Sequence, residues 1–478
     1  MIPYFLNIVL LFFIYFTMKN ELIKNTIVLL TGGFITKLLG MFIKMIMGRM
    51  VGSEILGLYM MIIPTFSLFM GLGQFGLPIA FSKLIAEDRS NNKQLFFSVL
   101  IISFFINIIL IFLIIAGAPY ISKVLLKNAD TYYGILAIAV VIPFISISSL
   151  CRSYFFGKEK MFPHVFSNII EDFVRLIMMI LFIPFFSKKN VSYLVCFLIL
   201  INVISESISI IILFLFLPKN ISFKKRDFSL NKHYVRECLS IGIPNTTGRL
   251  IGSVGYFLEP ILLTYSLSKT GYSLSYITNQ YGILSGYVMP ILLLPSFFSS
   301  AISQALLPNI SKEYSYSNII NVKRKLYFSI GLSLSIGLVF TILFMLLPNL
   351  FLNTIYNTSK GVSYMRFLAP ICLFQYLQAP ISSCLEAIGK SKRIMFANIL
   401  GVGVRIFFLL VFSFFKIGLW GLIFAIGLNV VIVTLYELKK VKCVLSHKKW
   451  LSFYEGHFLF LTTWRSCYCM FVLNCPSI

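Results

Sequence analysis

The stretch LFFSVLIISFFINIILIFLIIAG, residues Leu95–Gly117, decides the fold class of this chain. It runs for 23 residues without a charged side chain, and a helix needs only ~20 residues to cross ~30 Å of hydrocarbon. Lipid offers no partner to backbone N–H and C=O groups, so such a block must be helical. Val191–Pro218 is a second block of this kind, in which Glu206 is the single charged residue.

The composition extends this interpretation to the whole chain. The 478 residues are 58% hydrophobic and 12% charged, whereas a soluble protein carries ~25% charged residues. The mean hydropathy is +0.91. A soluble enzyme is therefore excluded, and the expected class is an all-α polytopic protein of the inner or plasma membrane. The net charge of +25 is explained by basic loops that orient membrane spans, so nucleic acid is not an expected partner.

The apolar blocks predict twelve spans and one orientation. The spans lie near residues 27–47, 55–81, 95–117, 132–155, 163–186, 191–217, 238–265, 276–306, 326–349, 363–388, 394–415 and 417–437. With the Met18 region in the cytoplasm, 26 Lys and Arg residues fall on inside segments and eight on outside segments. No other alternation has such a bias, so the positive-inside rule places the 219–237 loop in the cytoplasm too.

An internal repeat divides the chain at that loop. FSNIIEDFVRL (Phe166–Leu176) matches FANILGVGVRI (Phe396–Ile406) at an offset of 230 residues. The shared polar positions are Asn168 with Asn398 and Arg175 with Arg405. Six spans separate the copies, so the repeat is parallel, about an axis along the membrane normal. It predicts two pseudosymmetric six-helix bundles, residues 18–218 and 238–442, around a central cavity.

The two ends depart from this pattern. Residues 1–17 are apolar but short for a span, and MKNELIKNT from Met18 has the character of a natural start. The first segment is interpreted as an upstream extension, with a peripheral anchor or a short extra helix as alternatives. Residues 443–478 form an atypical tail, interpreted as a weak thirteenth span or the disrupted remainder of a C-terminal hairpin.

Ionisable residues inside spans are the candidate functional residues, because charge in lipid is costly and usually faces a cavity or a partner. The proposed anion-binding set comprises Lys37, Lys44, Arg49, Arg175, Arg249 and Arg405. Fixed positive charges in a water-filled cleft would bind a phosphate or diphosphate. The alternative for Lys37 and Arg49 is that they extend to a membrane interface.

The acids have two interpretations, as ion or proton carriers or as partners of the arginines. They are Glu171, Glu206 and Glu259. Glu171 lies four residues before Arg175, a favourable ion-pair spacing on a helix. Glu206 is expected to carry a proton or to pair with Arg175. Arg405 has no nearby acid in its own helix, so its partner must come from another helix.

Proline and glycine interrupt the second and eighth spans. The candidate hinge positions are Pro64, Gly76, Pro78, Pro290 and Pro295. Broken helices are tolerated in membranes where they line a cavity or a gate; static kinks that serve packing are the alternative. The sequence contains no CxxC motif, P-loop or dinucleotide fingerprint, so neither a metal nor a cofactor is expected.

Residues Gly32–Glu87 resemble the stage V sporulation protein B family. One motif is R-x-x-G-x-E-x-x-G-x-Y, here Arg49, Gly52, Glu54, Gly57 and Tyr59. A second is G-x-P-x-A-x-S-K-x-x-A-E, here Gly76, Pro78, Ala80, Ser82, Lys83, Ala86 and Glu87. The second-half stretch CLEAIGKSKRIMFANILGVGVRI is similar to the family as well. The resemblance runs from about Met18 to about Lys442.

That resemblance implies a member of the multidrug/oligosaccharidyl-lipid/polysaccharide exporter superfamily, usually with fourteen helices in this branch. It implies a flippase that moves an undecaprenyl-diphosphate-linked glycan, a peptidoglycan precursor for the spore cortex, across the cytoplasmic membrane. Cell-wall synthesis proteins are the expected protein partners. Lys37, Lys44, Arg49 and Arg249 are, by position, the counterparts of the basic cavity residues of lipid II flippases. The alternatives are a drug or cation antiporter, a membrane glycosyltransferase or polymerase, and a non-transporting sporulation scaffold.

Overall fold

The computed structural model describes residues 21–87, 92–186, 190–217 and 231–455, and these residues form helices without a strand. The 1–17 segment, most of the 219–237 loop and the tail beyond residue 455 lie outside the described residues. The helices of the first half are α1 (Glu21–Val51), α2 (Ser53–Gln74), α3 (Leu77–Ala86), α4 (Asn92–Tyr120), α5 (Tyr132–Gly157), α6 (Met161–Phe186) and α7 (Val191–Leu215).

The second half follows the same plan with more interruptions. Its helices are α8 (Lys232–Lys269), α9 (Leu274–Gly282), α10 (Met289–Leu292), α11 (Ser296–Ser315), α12 (Ile319–Leu346), α13 (Pro348–Tyr356), α14 (Val362–Ala387), α15 (Ser391–Ser413) and α16 (Trp420–Glu455). The last helix continues well past the predicted end of the twelfth span at residue 437.

Ten stretches of the described chain are long and apolar enough to cross a membrane, and an eleventh is the bent pair Leu274–Leu292 and Ser296–Ser315. The predicted fifth span is present as the helix α6 but is absent from this set. Its three acidic and basic residues, Glu171, Asp172 and Arg175, explain the difference. A multi-pass helical membrane protein is therefore confirmed, whereas the count of twelve spans stays a prediction.

The predicted interruptions of the second and eighth spans are present. The second span breaks between α2 and α3, where Gly76 has a φ of +69°. A Cβ at Gly76 would lie 2.4 Å from the carbonyl oxygen of Gly242 on α8, so only glycine fits this close approach. In the eighth span the axis bends by 52°, and Pro295 immediately precedes α11. Pro64, by contrast, lies inside α2 without ending it.

Helix pairing in the second half repeats that in the first. In the first half α1 packs on α6, α4 on α5, and α7 on both α5 and α6. In the second half α8 packs on α15, α12 on α14, and α16 on both α14 and α15. These four helix pairings therefore recur at the same places in the chain order.

The two halves meet along α2, which packs on α8 and α9. At the crossing with α9, a Cβ on Gly57 would lie 2.0 Å from the carbonyl oxygen of Thr278, and one on Gly282 would lie 2.4 Å from that of Ser53. Small residues allow such close backbone approach in membranes. One apolar core continues through this crossing, from Leu56 on α2 to Tyr281 on α9.

Candidate functional site

A buried ionic cluster lies in the first half, around Arg152 of α5. Its guanidinium is 3.0 Å from the carboxylate of Glu171 on α6 and 2.5 Å from that of Glu206 on α7. It also donates to Ser148 at 2.6 Å and to the side-chain oxygen of Asn168. Both carboxylates are less than a tenth exposed, and a buried charge is tolerated only when it is paired and hydrogen-bonded.

Arg175 completes this cluster from α6. It pairs with Glu171, as the four-residue spacing predicts, and with Asp172 at 3.1 Å. Glu206 forms its ion pair with Arg152 of the neighbouring helix and not with Arg175, which was one of its two alternatives; the other alternative, that Glu206 carries a proton, stays a prediction. With all groups ionised, three carboxylates and two guanidiniums leave the cluster one negative charge.

The second half contains a cavity of about 360 Å³ among α8, α14, α15 and α16. It lies within the predicted second bundle, not at the predicted central position between the bundles. Its polar lining comprises Arg249, Tyr256, Glu259, Gln375, Gln378, Asn398, Arg405 and Asn429. Three of these residues are charged, and two of the three are arginines.

Arg405 and Glu259 form the ion pair of this cavity. The guanidinium of Arg405 on α15 is 2.6 Å from the Glu259 carboxylate on α8, and the Tyr281 hydroxyl donates to the same carboxylate at 3.2 Å. The partner that Arg405 lacks in its own helix is thus supplied by another, as predicted. The Nε of Arg405 is buried and donates to no acceptor among the described residues.

Arg249 is the second cation of the cavity and has no carboxylate of its own. Its side chain is exposed and lines the cavity. In the described part of the chain, the ion pairs involve other residues. The positive charge of Arg249 is therefore available to an anion that enters the cavity.

The internal repeat shows which charged residues of the first-half cluster are replaced in the second half. The residue 230 positions after Glu171 is Gly401, and the residue 230 positions after Arg152 is Ser382. Ser382 donates at 2.9 and 3.0 Å to the carboxylate of Glu437, which follows Glu206 by 231 positions. Glycine and serine thus stand at the repeat positions of Glu171 and Arg152, so these two charges of the first-half cluster have no counterpart in the second half.

The remaining predicted basic residues lie elsewhere. Lys37 on α1 donates to Ser300 at 2.5 Å, at a contact between the halves. The side chain of Lys44 is exposed. The guanidinium of Arg49 donates to the carbonyl oxygens of Thr354 and Ile355 near the end of α13. Arg49 therefore joins α1 to the second half at this point.

Two functional candidates escaped the sequence analysis. Arg152 lies near the inner end of the predicted span 132–155 and contributes there only to the count of inside Lys and Arg residues, not to the candidate site. Glu437 is taken as the end of a span, yet it is 2% exposed. The repeat could have identified both residues, because an alignment of the two halves pairs Ser382 with Arg152 and Glu437 with Glu206. No cluster of three or more His, Cys, Asp or Glu side chains with metal-site geometry occurs among the residues described.

Comparison with known proteins connects this arrangement to two family profiles. The profile described as polysaccharide biosynthesis protein matches residues 22–314, and the MatE profile matches residues 285–411. The chain is similar to stage V sporulation protein B of Bacillus subtilis (strain 168), with 31% identity over 444 residues, which are 89% of this chain and 85% of that protein. The family resemblance of Gly32–Glu87 is therefore confirmed.

Two further similarities bear on the fold. The chain is 22% identical over 439 residues to the lipid II flippase MurJ of the same organism, across 81% of this chain and 77% of that protein. Among solved structures, the inward-facing conformation of a multidrug resistance MATE family transporter of the MOP superfamily aligns with a TM-score of 0.68. That alignment has 16% identity and covers 87% of this chain and 95% of the other, so it shows a shared fold.

Proposed function

From the premise that this chain belongs to the polysaccharide biosynthesis protein family, we propose that it moves a glycan carried on a polyprenyl diphosphate across the cytoplasmic membrane. The chain is a membrane transporter of the flippase type and not an enzyme, consistent with its relatives. The proposed cargo is a peptidoglycan precursor, lipid II for the spore cortex. Its diphosphate–sugar head group crosses through the protein while the polyprenyl tail stays in lipid.

The observation that carries the proposal is the charge of the second-half cavity. Glu259 neutralises Arg405, and Arg249 adds a positive charge that no carboxylate offsets among the described residues. Arginine binds diphosphate oxygens through paired charge-assisted hydrogen bonds. Amide groups of Gln375, Asn398 and other lining residues can satisfy further oxygens of the head group.

The proposed architecture is two six-helix bundles, residues 18–218 and 238–442, that rock about the α2–α9 crossing. The repeated helix pairings support it. Gly76 and Pro78 at the α2–α3 break, and Pro290 and Pro295 at the bend before α11, are the proposed hinge positions. The Met18 region and the 219–237 loop lie in the cytoplasm in this arrangement, as the distribution of Lys and Arg predicts.

In this account the acids have a role distinct from that of the arginines. Glu171 and Glu206 hold the first-half cluster together, and its net negative charge is the proposed site for a coupling proton or cation. Lys37 and Lys44 on α1 are the proposed contacts of the head group outside the cavity. A drug or cation antiporter would need an acidic cavity, whereas the cavity here has more cations than anions.

Transport in proteoliposomes tests the proposal against the antiporter. Purified full-length protein is reconstituted with a fluorescent undecaprenyl-diphosphate-linked disaccharide–pentapeptide, or with a cationic dye under an imposed proton or sodium gradient. We expect the lipid-linked glycan to become accessible on the opposite leaflet and the dye to stay in place. Gradient-driven movement of the dye without movement of the glycan would overturn the proposal in favour of the antiporter.

Glu259→Gln is expected to raise the affinity of the cavity for a polyprenyl diphosphate several-fold. The amide keeps the side-chain volume and can still accept a hydrogen bond from Tyr281. It no longer neutralises Arg405, so we expect the binding free energy of the anionic ligand to improve by on the order of 1 kcal/mol. Titration calorimetry with a short-chain farnesyl diphosphate in detergent measures the change. Glu437→Gln is the matched control, because Glu437 is buried in the same half without lining the cavity. Weaker binding in Glu259→Gln would contradict the charge argument.

A further inference from the structure

A second polar pocket lies at the opposite end of the second half from the Ser382–Glu437 contact. It has a volume of about 390 Å³ and forms where α9 ends and where α14 and α16 begin. A volume of this size is within the range of small-ligand sites, which is ~300–1,000 Å³. The distribution of Lys and Arg predicts this end to be outside the cell. The lining residues used below are Asn279, Gln280, Lys360, Ser363, Tyr364 and Trp420.

The aromatic wall of this pocket is held in place by its neighbours. The ring of Trp420 meets Tyr364 at a centroid distance of 5.2 Å and an interplanar angle of 85°, and Phe367 at 5.6 Å and 85°. Near-perpendicular contacts of this kind are a favoured aromatic geometry. The indole is therefore a rigid surface at the pocket, so little side-chain entropy is lost when a ligand covers it.

The polar wall offers both donors and acceptors. The Tyr364 hydroxyl donates to the Oε1 of Gln280 at 2.8 Å, which directs the amide nitrogen of Gln280 away from that bond. The Oδ1 of Asn279 is buried and accepts no hydrogen bond from any described residue. An unsatisfied buried acceptor costs free energy that a ligand donor would recover. Lys360 and Ser363 add further donors, and no carboxylate lines the pocket.

We propose that this pocket binds a saccharide. A pyranose ring presents an apolar C–H face, which suits the indole of Trp420, and an edge of hydroxyl groups that both donate and accept. Side-chain amides can form hydrogen bonds with those hydroxyls without the desolvation cost of full charges. A cation is disfavoured by Lys360 and by the lack of an acid, and a purely apolar ligand would leave Asn279 and Gln280 unsatisfied.

This inference rests on the proposed function and deepens it. A glycan that leaves the cavity on the outer side would meet the pocket with its sugar, while its diphosphate is still bound to arginine. The pocket would then favour the outward-released state by holding the sugar end of the cargo. The ligand class is a neutral or N-acetylated hexose unit, recognised by stacking and by amide hydrogen bonds.

Titration calorimetry of the full-length protein with diacetylchitobiose tests the site apart from transport. We expect saturable binding that weakens about tenfold in Trp420→Ala, in line with the loss of a stacking surface and its area. Gln280→Ala keeps the indole and should weaken binding as well. Phe414→Ala is the matched control, because Phe414 is a highly exposed aromatic directly after α15 that does not line the pocket.

Absence of saturable binding in the wild type, or equal binding in the wild type and both pocket variants, would overturn the site. Flipping of the lipid-linked glycan is measured in parallel to separate the two claims. Glycan transport without pocket-dependent disaccharide binding removes the site and leaves the proposed function. Disaccharide binding that depends on Trp420 and Gln280 without glycan transport keeps the site and removes the proposed function.

Discussion

Arg152→Ala is expected to lower sharply the thermal midpoint and the folded yield of the protein. Among the described residues, the change leaves the Ser148 hydroxyl as the remaining hydrogen-bond partner of the Glu206 carboxylate. It also removes one of the two guanidinium groups that pair with Glu171. Both carboxylates stay buried. Breaking a buried ion pair from one side costs about 3–5 kcal/mol, against a total stability of about 5–15 kcal/mol for a typical protein.

The measurement is the thermal midpoint and the yield of monodisperse protein in detergent. Arg324→Ala is the matched control, because Arg324 is exposed and belongs to none of the ion pairs between described residues. The double variant Arg152→Ala/Glu206→Gln should recover part of the loss, since it also removes a stranded charge. A thermal midpoint of Arg152→Ala equal to that of the control would contradict the role assigned to the cluster.

Arg249→Ala should weaken the binding of farnesyl diphosphate by at least about tenfold, the effect of losing a charge-assisted hydrogen bond. The side chain is exposed in the cavity and has no acid to stabilise, so the fold should tolerate its loss. Titration calorimetry measures the affinity, and size-exclusion chromatography checks the fold.

Two variants make this measurement specific to the cavity. Arg249→Lys keeps the charge but loses the paired geometry, so it should lie between the wild type and Arg249→Ala. Arg366→Ala removes an exposed arginine of the same half that does not line the cavity, and it should bind as the wild type does. An equal loss in Arg249→Ala and Arg366→Ala would mean that net charge, and not this site, governs binding.

Features that depend on a single segment of the chain could be predicted from the sequence. Apolar length sets the spans, and the Glu171–Arg175 pair follows from helical spacing. The break at Gly76 follows from local backbone chemistry. The need of Arg405 for a distant partner was also visible, because a lone guanidinium in a span requires one.

Features that depend on which helices pack together could not be predicted in the same way. Arg152, Glu171 and Glu206 come from three different helices. No spacing along the chain predicts that these side chains are in contact. The position of the second-half cavity depends on how α8, α14, α15 and α16 pack against one another, and no single segment encodes that packing. The partners of Arg49 are backbone carbonyls, which leave no signature in side-chain chemistry.

Flipping of fluorescent lipid II in proteoliposomes, compared between the wild type and Arg249→Ala, tests the central claim most directly. The claim is that fixed positive charge in the second-half cavity binds the anionic head group of the cargo. We expect transport by the wild type, a rate lower by about tenfold or more in Arg249→Ala at a subsaturating lipid concentration, and an intermediate rate in Arg249→Lys. Equal rates in the wild type and a correctly folded Arg249→Ala would contradict the claim.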